Sequence, residues 1–286
     1  MNSVVSMAAP AAIGAIPVVI LCGGQGIYLP GSSRRNNKAL VEIDGEPMVV
    51  WVMRSYVAAG FRHFILAAGG CAPDLAPLFV RRYPASVDSG LPGPTAQTDL
   101  RFQLDGVVCR LAIRDTGAET ATGERIRRVA ADLATAPVFA VTYSDTLCDI
   151  DLAAMYAAHR QHGRLATMMA TQAPTRFRIL GLRPGDPLVR GFLENPLIEN
   201  DPINGGFYLF QSALLGERYL GRPDPEGAGV LETTVLERLV EDRQLVAYPY
   251  GGAWHYLDSE RDIPQVEAVA RKLGIRTGNS AEGASS

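Results

Sequence analysis

The chain has no block of basic residues. Its formal net charge is −3 over 286 residues, so it offers no extended positive surface, and non-specific binding of nucleic acid is not expected. Cysteine is scarce: Cys22, Cys71, Cys109 and Cys148 are scattered with no CxxC pair. They read as small buried apolar residues in a reducing compartment, not as a disulfide framework or a zinc site. Beyond the N-terminal stretch, no apolar run approaches the length of a membrane span. That stretch, MNSVVSMAAPAAIGAIPVVILCGG, has no Lys or Arg ahead of its apolar part and continues into a Gly-rich turn. It is read as a flexible tail over 1–13 followed by the first strand, not as a secretory leader. No internal repeat is present. G-x-G-x-x-G spacing is missing, as is an acidic residue ending a second strand, and both absences count against a dinucleotide-binding dehydrogenase. The expected location is the cytoplasm, without a membrane or nucleic-acid partner.

What is present is an alternation of short apolar runs and helical patterns. Apolar residues make up 47% of the chain, enough for one large core. Val18 to Cys22 reads as a buried strand that breaks into Gly23-Gly24-Gln25-Gly26. Val41 to Ile43 is strand-like and Asp44-Gly45 turns it. Pro47 suits a helix start and Gly60 its stop, with Val49, Val50, Met53, Tyr56 and Val57 at helical spacing between them. Phe64 to Ala68 completes a βαβ unit, so a mostly parallel sheet with helices on both faces is expected. Pro84 to Thr98 reads as a long loop. Further strands are expected over Val107 to Ile113, Val138 to Thr142, Ala166 to Thr171 and Ala253 to Leu257, and one more starting at Ile203. Ile179 to Arg183 and Leu188 to Leu193 suggest a hairpin. Thr122 opens a helix carrying Ile126, Val129 and Leu133. Asp151 caps another that ends at Gly163, where cationic His159 and His162 would suit the helix dipole. Val230 to Val240 reads as amphipathic, with Leu231, Val235, Leu236, Leu239 and Val240 on its apolar face. A last helix runs to about Leu273. The expected division is a core over 14–164, a second part of the same domain over 165–275, and a disordered tail over 276–286.

A Gly-rich turn directly after a strand lets backbone amides approach phosphate oxygens, and Lys38 is a mobile cation within reach of the same place. The segment resembles the signature of the sugar-1-phosphate nucleotidyltransferases, Gly-Gly-x-Gly-Thr-Arg-Leu followed by Pro-Lys-Pro and Val-Glu-Ile. Here it reads Gly23-Gly24-Gln25-Gly26-Ile27-Tyr28-Leu29, Asn37-Lys38-Ala39 and Val41-Glu42-Ile43. Asp115-Thr116-Gly117 and Thr122-Gly123-Glu124-Arg125 are similar to further family segments, and the glucose-1-phosphate cytidylyltransferase branch is the most similar.

The resemblance implies the nucleotide-diphospho-sugar transferase fold, Rossmann-like, with a smaller sugar-binding subregion. It also implies a reaction in which a sugar-1-phosphate oxygen attacks the α-phosphorus of a nucleoside triphosphate, CTP in this branch, and expels pyrophosphate. Mg2+ is the implied cofactor, and a homo-oligomer the implied assembly. Leu21, Gly23, Gly24, Gln25, Gly26 and Lys38 would bind the nucleotide, with Lys38 and Asp145 catalytic. Asp145, just past a core strand where open α/β sheets bind ligands, and Asp258 would hold the metal. Their alternatives are a turn residue and a helix N-cap. Thr122, Gly123, Arg125, Glu194, Asn204 and Gly205 would contact the sugar nucleotide, although a capped helix start with a surface Arg is as good a reading of the first three. The family pattern loses the prolines flanking Lys38 and two of its cations. Tyr28 replaces an Arg, and Glu194-Asn195-Pro196 lacks the Lys of Glu-Lys-Pro. Two of three phosphate-binding cations are therefore missing, with Arg34, Arg35 and Arg178 as candidate replacements. The retained residues favour an enzyme of reduced activity or altered specificity. The losses leave open a binding protein that acts through a partner.

Overall fold

Val18, Ile20 and Cys22 face one side of the first strand, and Val19 and Leu21 face the other, and all are buried. A strand apolar on both faces belongs in the middle of a covered sheet, and there it lies in the computed structural model. The structure describes residues 12–24, 26–29, 35–83, 97–172, 179–180, 192–193, 202–223 and 229–273. Eight strands form the main sheet: β1 (Pro17–Cys22), β2 (His63–Ala68), β3 (Gln97–Leu104), β4 (Val107–Asp115), β5 (Val138–Tyr143), β6 (Ala166–Thr171), β7 (Ile203–Gln211) and β8 (Leu245–Pro249). Their order is β8-β6-β7-β5-β1-β2-β4-β3. β5, β1, β2 and β4 are parallel neighbours, as are β6 and β8, while β7 and β3 run antiparallel to their neighbours. The mostly parallel sheet expected from the sequence is present, and strands from both halves of the chain belong to it.

Five helices matter below: α1 (Met48–Ala58), α2 (Ala72–Arg82), α3 (Thr122–Arg128), α4 (Leu152–His162) and α5 (Ile263–Lys272). Buried residues of α1, α2, α4 and α5 pack on the Val18/Ile20 face, and those of α3 pack on the Val19/Leu21 face. A helical stretch over 231–241 shares that second face. It begins as a π-helix over Leu231–Leu236 and continues as α-helix over Glu237–Glu241. Leu231, Val235, Leu236 and Leu239 are buried as expected, but Val240 is 62% exposed and lies off the apolar stripe. Asp151 caps α4 by accepting from the Ala154 amide, and Gly163 ends it in the left-handed region.

Three of these elements went unread, and β8, over Leu245–Pro249, is one of them. α2 carries Pro73 in its first turn and Pro77 inside, yet Leu75, Ala76 and Phe79 still face the core. β3 begins at Gln97, so the expected loop gives way to strand before Thr98, and residues 84–96 lie outside the described ones. Ile179–Leu180 pairs antiparallel with Phe192–Leu193, in keeping with the expected hairpin. The cationic histidines are a correction. The His159 Nδ1 and His162 Nε2 atoms both lie 2.7 Å from the buried Thr167 hydroxyl. Burial and the neighbouring His162 push His159 down to about 4. A helix dipole offers a cation about 0.3–1 kcal/mol, which does not offset burying the charge.

Candidate active site

The carboxyl ends of β1, β2, β4 and β5 open onto one crevice, where open α/β sheets bind ligands. Gly23 and Gly24 leave β1, Gly69 and Gly70 leave β2, and Ser144-Asp145 leave β5. The Ser144 amide donates to the Leu21 carbonyl at 3.2 Å, which fixes the β5 exit against β1. Thr146–Cys148 then pairs antiparallel with Trp254–Tyr256, and the Leu257 amide donates to the Asp145 carbonyl at 2.7 Å. That small ladder brings Asp145 beside Asp258, 113 positions further along the chain. Lys38 Nζ stands between them, 3.0 Å from Asp145 Oδ2 and 3.3 Å from Asp258 Oδ1. Burial by itself would lower the Lys38 ammonium, but Asp145 and then Asp258 outweigh it and hold its pKa above the ordinary lysine value. The helix-cap alternative for Asp258 falls away: Ser259 and Asp262 form the capping box, and the Asp258 carboxylate turns to Lys38.

Lys38 is aimed by its neighbour. The Asn37 amide nitrogen donates to the Cys22 carbonyl at 3.1 Å, and its oxygen accepts from the Ala39 amide at 2.9 Å. This clamp ties the Lys38–Leu40 turn to the end of β1 and supplies by hydrogen bonds the rigidity that flanking prolines would give. Gly26 has φ 74°, and a Cβ there would collide with the Asn36 carbonyl. Tyr28 is 59% exposed on a short ladder in which it pairs with Arg35.

Arg125 is not a surface arginine. It is 2% exposed beneath the Gly-rich turn. Its guanidinium donates to the carbonyls of Ala68, Gly117, Ala118 and Gly23 and to the Thr116 hydroxyl, at 2.6 to 3.2 Å. Among the described residues no carboxylate pairs with it, and burial lowers its pKa. It thus holds three strand ends together and places a positive charge under Gly23, whose Cβ would overlap the guanidinium. Thr122 and Gly123 dock a helix. The Thr122 hydroxyl accepts from the Leu231 amide at 2.8 Å, and Gly123 lets α3 approach the Gly229 carbonyl.

Asn204 lies at the start of β7. Its nitrogen donates to the Tyr208 hydroxyl at 2.5 Å and its oxygen accepts from the Gly206 amide at 3.0 Å. The space a Gly205 Cβ would need is filled by the Met169 side chain, so Gly205 serves packing on that side. Gln25, Arg34, Arg178, Glu194 and Asn195 lie outside the described residues. Leu21, Gly23, Gly24, Lys38, Thr122, Arg125 and Asp145 line one cavity of about 370 Å³, together with Asn37, Tyr143 and Glu232, which sequence reasoning did not single out.

A model of the nucleotidyl transferase family matches residues 17–258. The chain belongs to this family. Over 255 residues it is 29% identical to the glucose-1-phosphate cytidylyltransferase of Salmonella typhimurium, covering 89% of this chain and 95% of that one. It is 27% identical to the mannose-1-phosphate guanyltransferase of Gibberella zeae over 249 residues, 86% of this chain and 61% of the relative. Among solved structures, HddC from Yersinia pseudotuberculosis complexed with GMP-PN superimposes with a TM-score of 0.60 at 17% identity, covering 90% and 99% of the two chains. A putative glucose-1-phosphate thymidylyltransferase from Bacillus anthracis gives 0.62 at 16% identity, covering 92% and 98%. These likenesses show the nucleotide-diphospho-sugar transferase fold.

In this nucleotidyl transferase the donor set fits a divalent cation. Two carboxylates from separate segments converge on one point, and a cation, the Lys38 ammonium, already stands between them. Hard oxygen donors of this kind suit Mg2+, which completes its shell with water and phosphate oxygens. No helix among the described residues is long and apolar enough to cross a membrane.

Proposed function

We propose that the chain is a sugar-1-phosphate nucleotidyltransferase that joins CTP to a hexose-1-phosphate, releasing a nucleotide sugar and pyrophosphate. The observation that carries the reading is the convergence of Lys38, Asp145 and Asp258 at the carboxyl ends of the parallel strands. In this chemistry an oxygen of the sugar phosphate forms a bond to the α-phosphorus as the bond to the β-phosphate oxygen breaks. The protein need not supply a nucleophile; it aligns two anions and screens their repulsion. Gly23 and Gly24 offer a backbone without side chains to the triphosphate, over the fixed charge of Arg125. Lys38 exchanges its carboxylate partners for phosphate oxygens as substrate enters. Asp145 and Asp258 would hold Mg2+, which supplies charge neutralisation at the transferring phosphates. Asn204 and the segment around Glu194 are the proposed hexose contacts.

The similarity to cytidylyltransferases over most of the chain supports CTP and glucose-1-phosphate, and the guanyltransferase relative makes GTP the competitor to test. The reading also makes the protein a cytoplasmic homo-oligomer. The test is pyrophosphate release with magnesium, across CTP, UTP, dTTP, GTP and ATP paired with hexose-1-phosphates. CTP is expected to be turned over fastest, and turnover should vanish in Lys38→Met and Asp145→Asn. Release with no dependence on a sugar phosphate, or none with any pair, would overturn the reading.

A further inference from the structure

Glu232 stands in the first turn of the π-helix and lines the same cavity as Gly23, Gly24, Lys38 and Asp145. Among the described residues no cation pairs with it. Its Oε1 accepts from the Tyr143 hydroxyl, and its Oε2 lies 3.5 Å from the Thr122 hydroxyl. The Tyr143 ring is backed edge-on by Tyr208, whose hydroxyl accepts from Asn204 at 2.5 Å. The carboxylate is therefore oriented from behind by phenol and hydroxyl donors and turned toward the cavity. A carboxylate has about four acceptor positions. With one on each oxygen occupied, one on each remains. Without a cation between them, two parallel acceptors carrying a negative charge repel phosphates. They match two adjacent neutral donors, and vicinal sugar hydroxyls have that spacing.

We infer that Glu232, positioned by Tyr143, is a binding residue that accepts hydrogen bonds from a vicinal pair of sugar hydroxyls in the nucleotidyl transfer site. The inference rests on the proposed function and adds a residue to it. Two substrates carry such hydroxyls: the ribose of the nucleotide and the hexose of the sugar phosphate. Glutamine keeps the shape of Glu232 but has a single acceptor oxygen and adds an N–H donor where a hydroxyl must donate.

The test measures Kd by titration calorimetry for CTP and 2′-deoxy-CTP with magnesium, and KM for glucose-1-phosphate and 2-deoxyglucose-1-phosphate, in wild type, Glu232→Gln and Tyr143→Phe. A hydrogen bond to a charged group corresponds to about tenfold or more in affinity. Wild type is expected to prefer the hydroxylated member of one pair by about that factor. Glu232→Gln should erase the preference while binding the deoxy ligand as wild type does, and Tyr143→Phe should erase part of it. Collapse of the CTP ratio assigns the ribose, and collapse of the sugar-phosphate ratio assigns the hexose. Unchanged ratios in Glu232→Gln, or a change that follows the base when GTP replaces CTP, would overturn the inference alone, since wild-type binding would still stand. Wild type that binds no nucleoside triphosphate would remove the proposed function and this inference together.

Discussion

At the scale of single residues, two adjacent glycines do different work. A Cβ on Gly23 would overlap the buried Arg125 guanidinium, which is held by five oxygen acceptors and cannot move aside cheaply. A Cβ on Gly24 meets nothing within 4 Å. Gly23→Ala should therefore lower stability by about 1–3 kcal/mol, the cost of overpacking a filled site, and weaken nucleotide binding with it. Gly24→Ala should leave the melting temperature unchanged and weaken the triphosphate alone, because its methyl enters the cavity. Thermal unfolding with and without CTP separates the two, and equal losses of stability would contradict this assignment. Tyr28 is a second residue-scale case. Its phenol brings no positive charge where the family pattern has an Arg, and Asn195 replaces a Lys. Restoring both, Tyr28→Arg with Asn195→Lys, should raise turnover of glucose-1-phosphate, since losing one group that stabilises developing charge costs about 10²–10³-fold. Pyrophosphate release from wild type beside the double variant measures it, and brisk wild-type turnover with no gain would show that other groups already supply the charge.

At the scale of elements, α4 and β6 meet through a buried polar knot that tunes stability to pH. The Thr167 hydroxyl can donate to one histidine ring and accept from the other, and burial holds His159 at about 4 against an ordinary 6.5. The unfolded chain takes up this proton as pH falls through 6.5, and the folded chain only near 4. Between those values the unfolded state binds more protons, so stability falls as pH falls, and above 6.5 it is present in full. The difference is worth on the order of 3 kcal/mol. The melting temperature of wild type should thus drop more between pH 7 and 5 than that of His159→Gln, and parallel drops would remove His159 as the cause. Periodicity placed α4 and both its caps correctly, because Asp151 and Gly163 act locally. The charge state of His159 was misread because it depends on a strand that arrives later in the chain. β3 was legible in principle: Leu100, Phe102 and Leu104 alternate inward, and Asp105 and Gly106 both have positive φ in the turn to β4, a hairpin signal. α2 was hidden by Pro73 and Pro77, which propensity reads as breakers.

At the scale of the whole molecule, the site is a meeting of distant segments. Lys38, Asp145 and Asp258 were each legible from short motifs, but their mutual arrangement was not, because the Thr146–Cys148 pairing with Trp254–Tyr256 that brings the carboxylates together is a long-range ladder. Glu232 and Asn37 carried no family signal and became visible only as walls of the cavity. On the proposed function, Lys38 has two roles that can be separated. Without substrate its ammonium stands between the carboxylates, in the place a divalent cation would take. Lys38→Met removes that competitor and leaves two like charges facing one another, so magnesium should bind the free variant more tightly than it binds free wild type. If Lys38 binds phosphate as proposed, the same variant should show no transfer. With Mg·CTP at about 100 times its Kd, wild type should gain about 2.7 kcal/mol of stability. Asp145→Asn and Asp258→Asn should lose the magnesium-dependent part of that gain, because each leaves a single carboxylate. Magnesium titrations of the free proteins, followed by thermal shift with Mg·CTP, give both readouts independently of turnover. If Lys38→Met binds magnesium no better than wild type, the ammonium does not compete for the carboxylates, and Lys38 acts on phosphate alone.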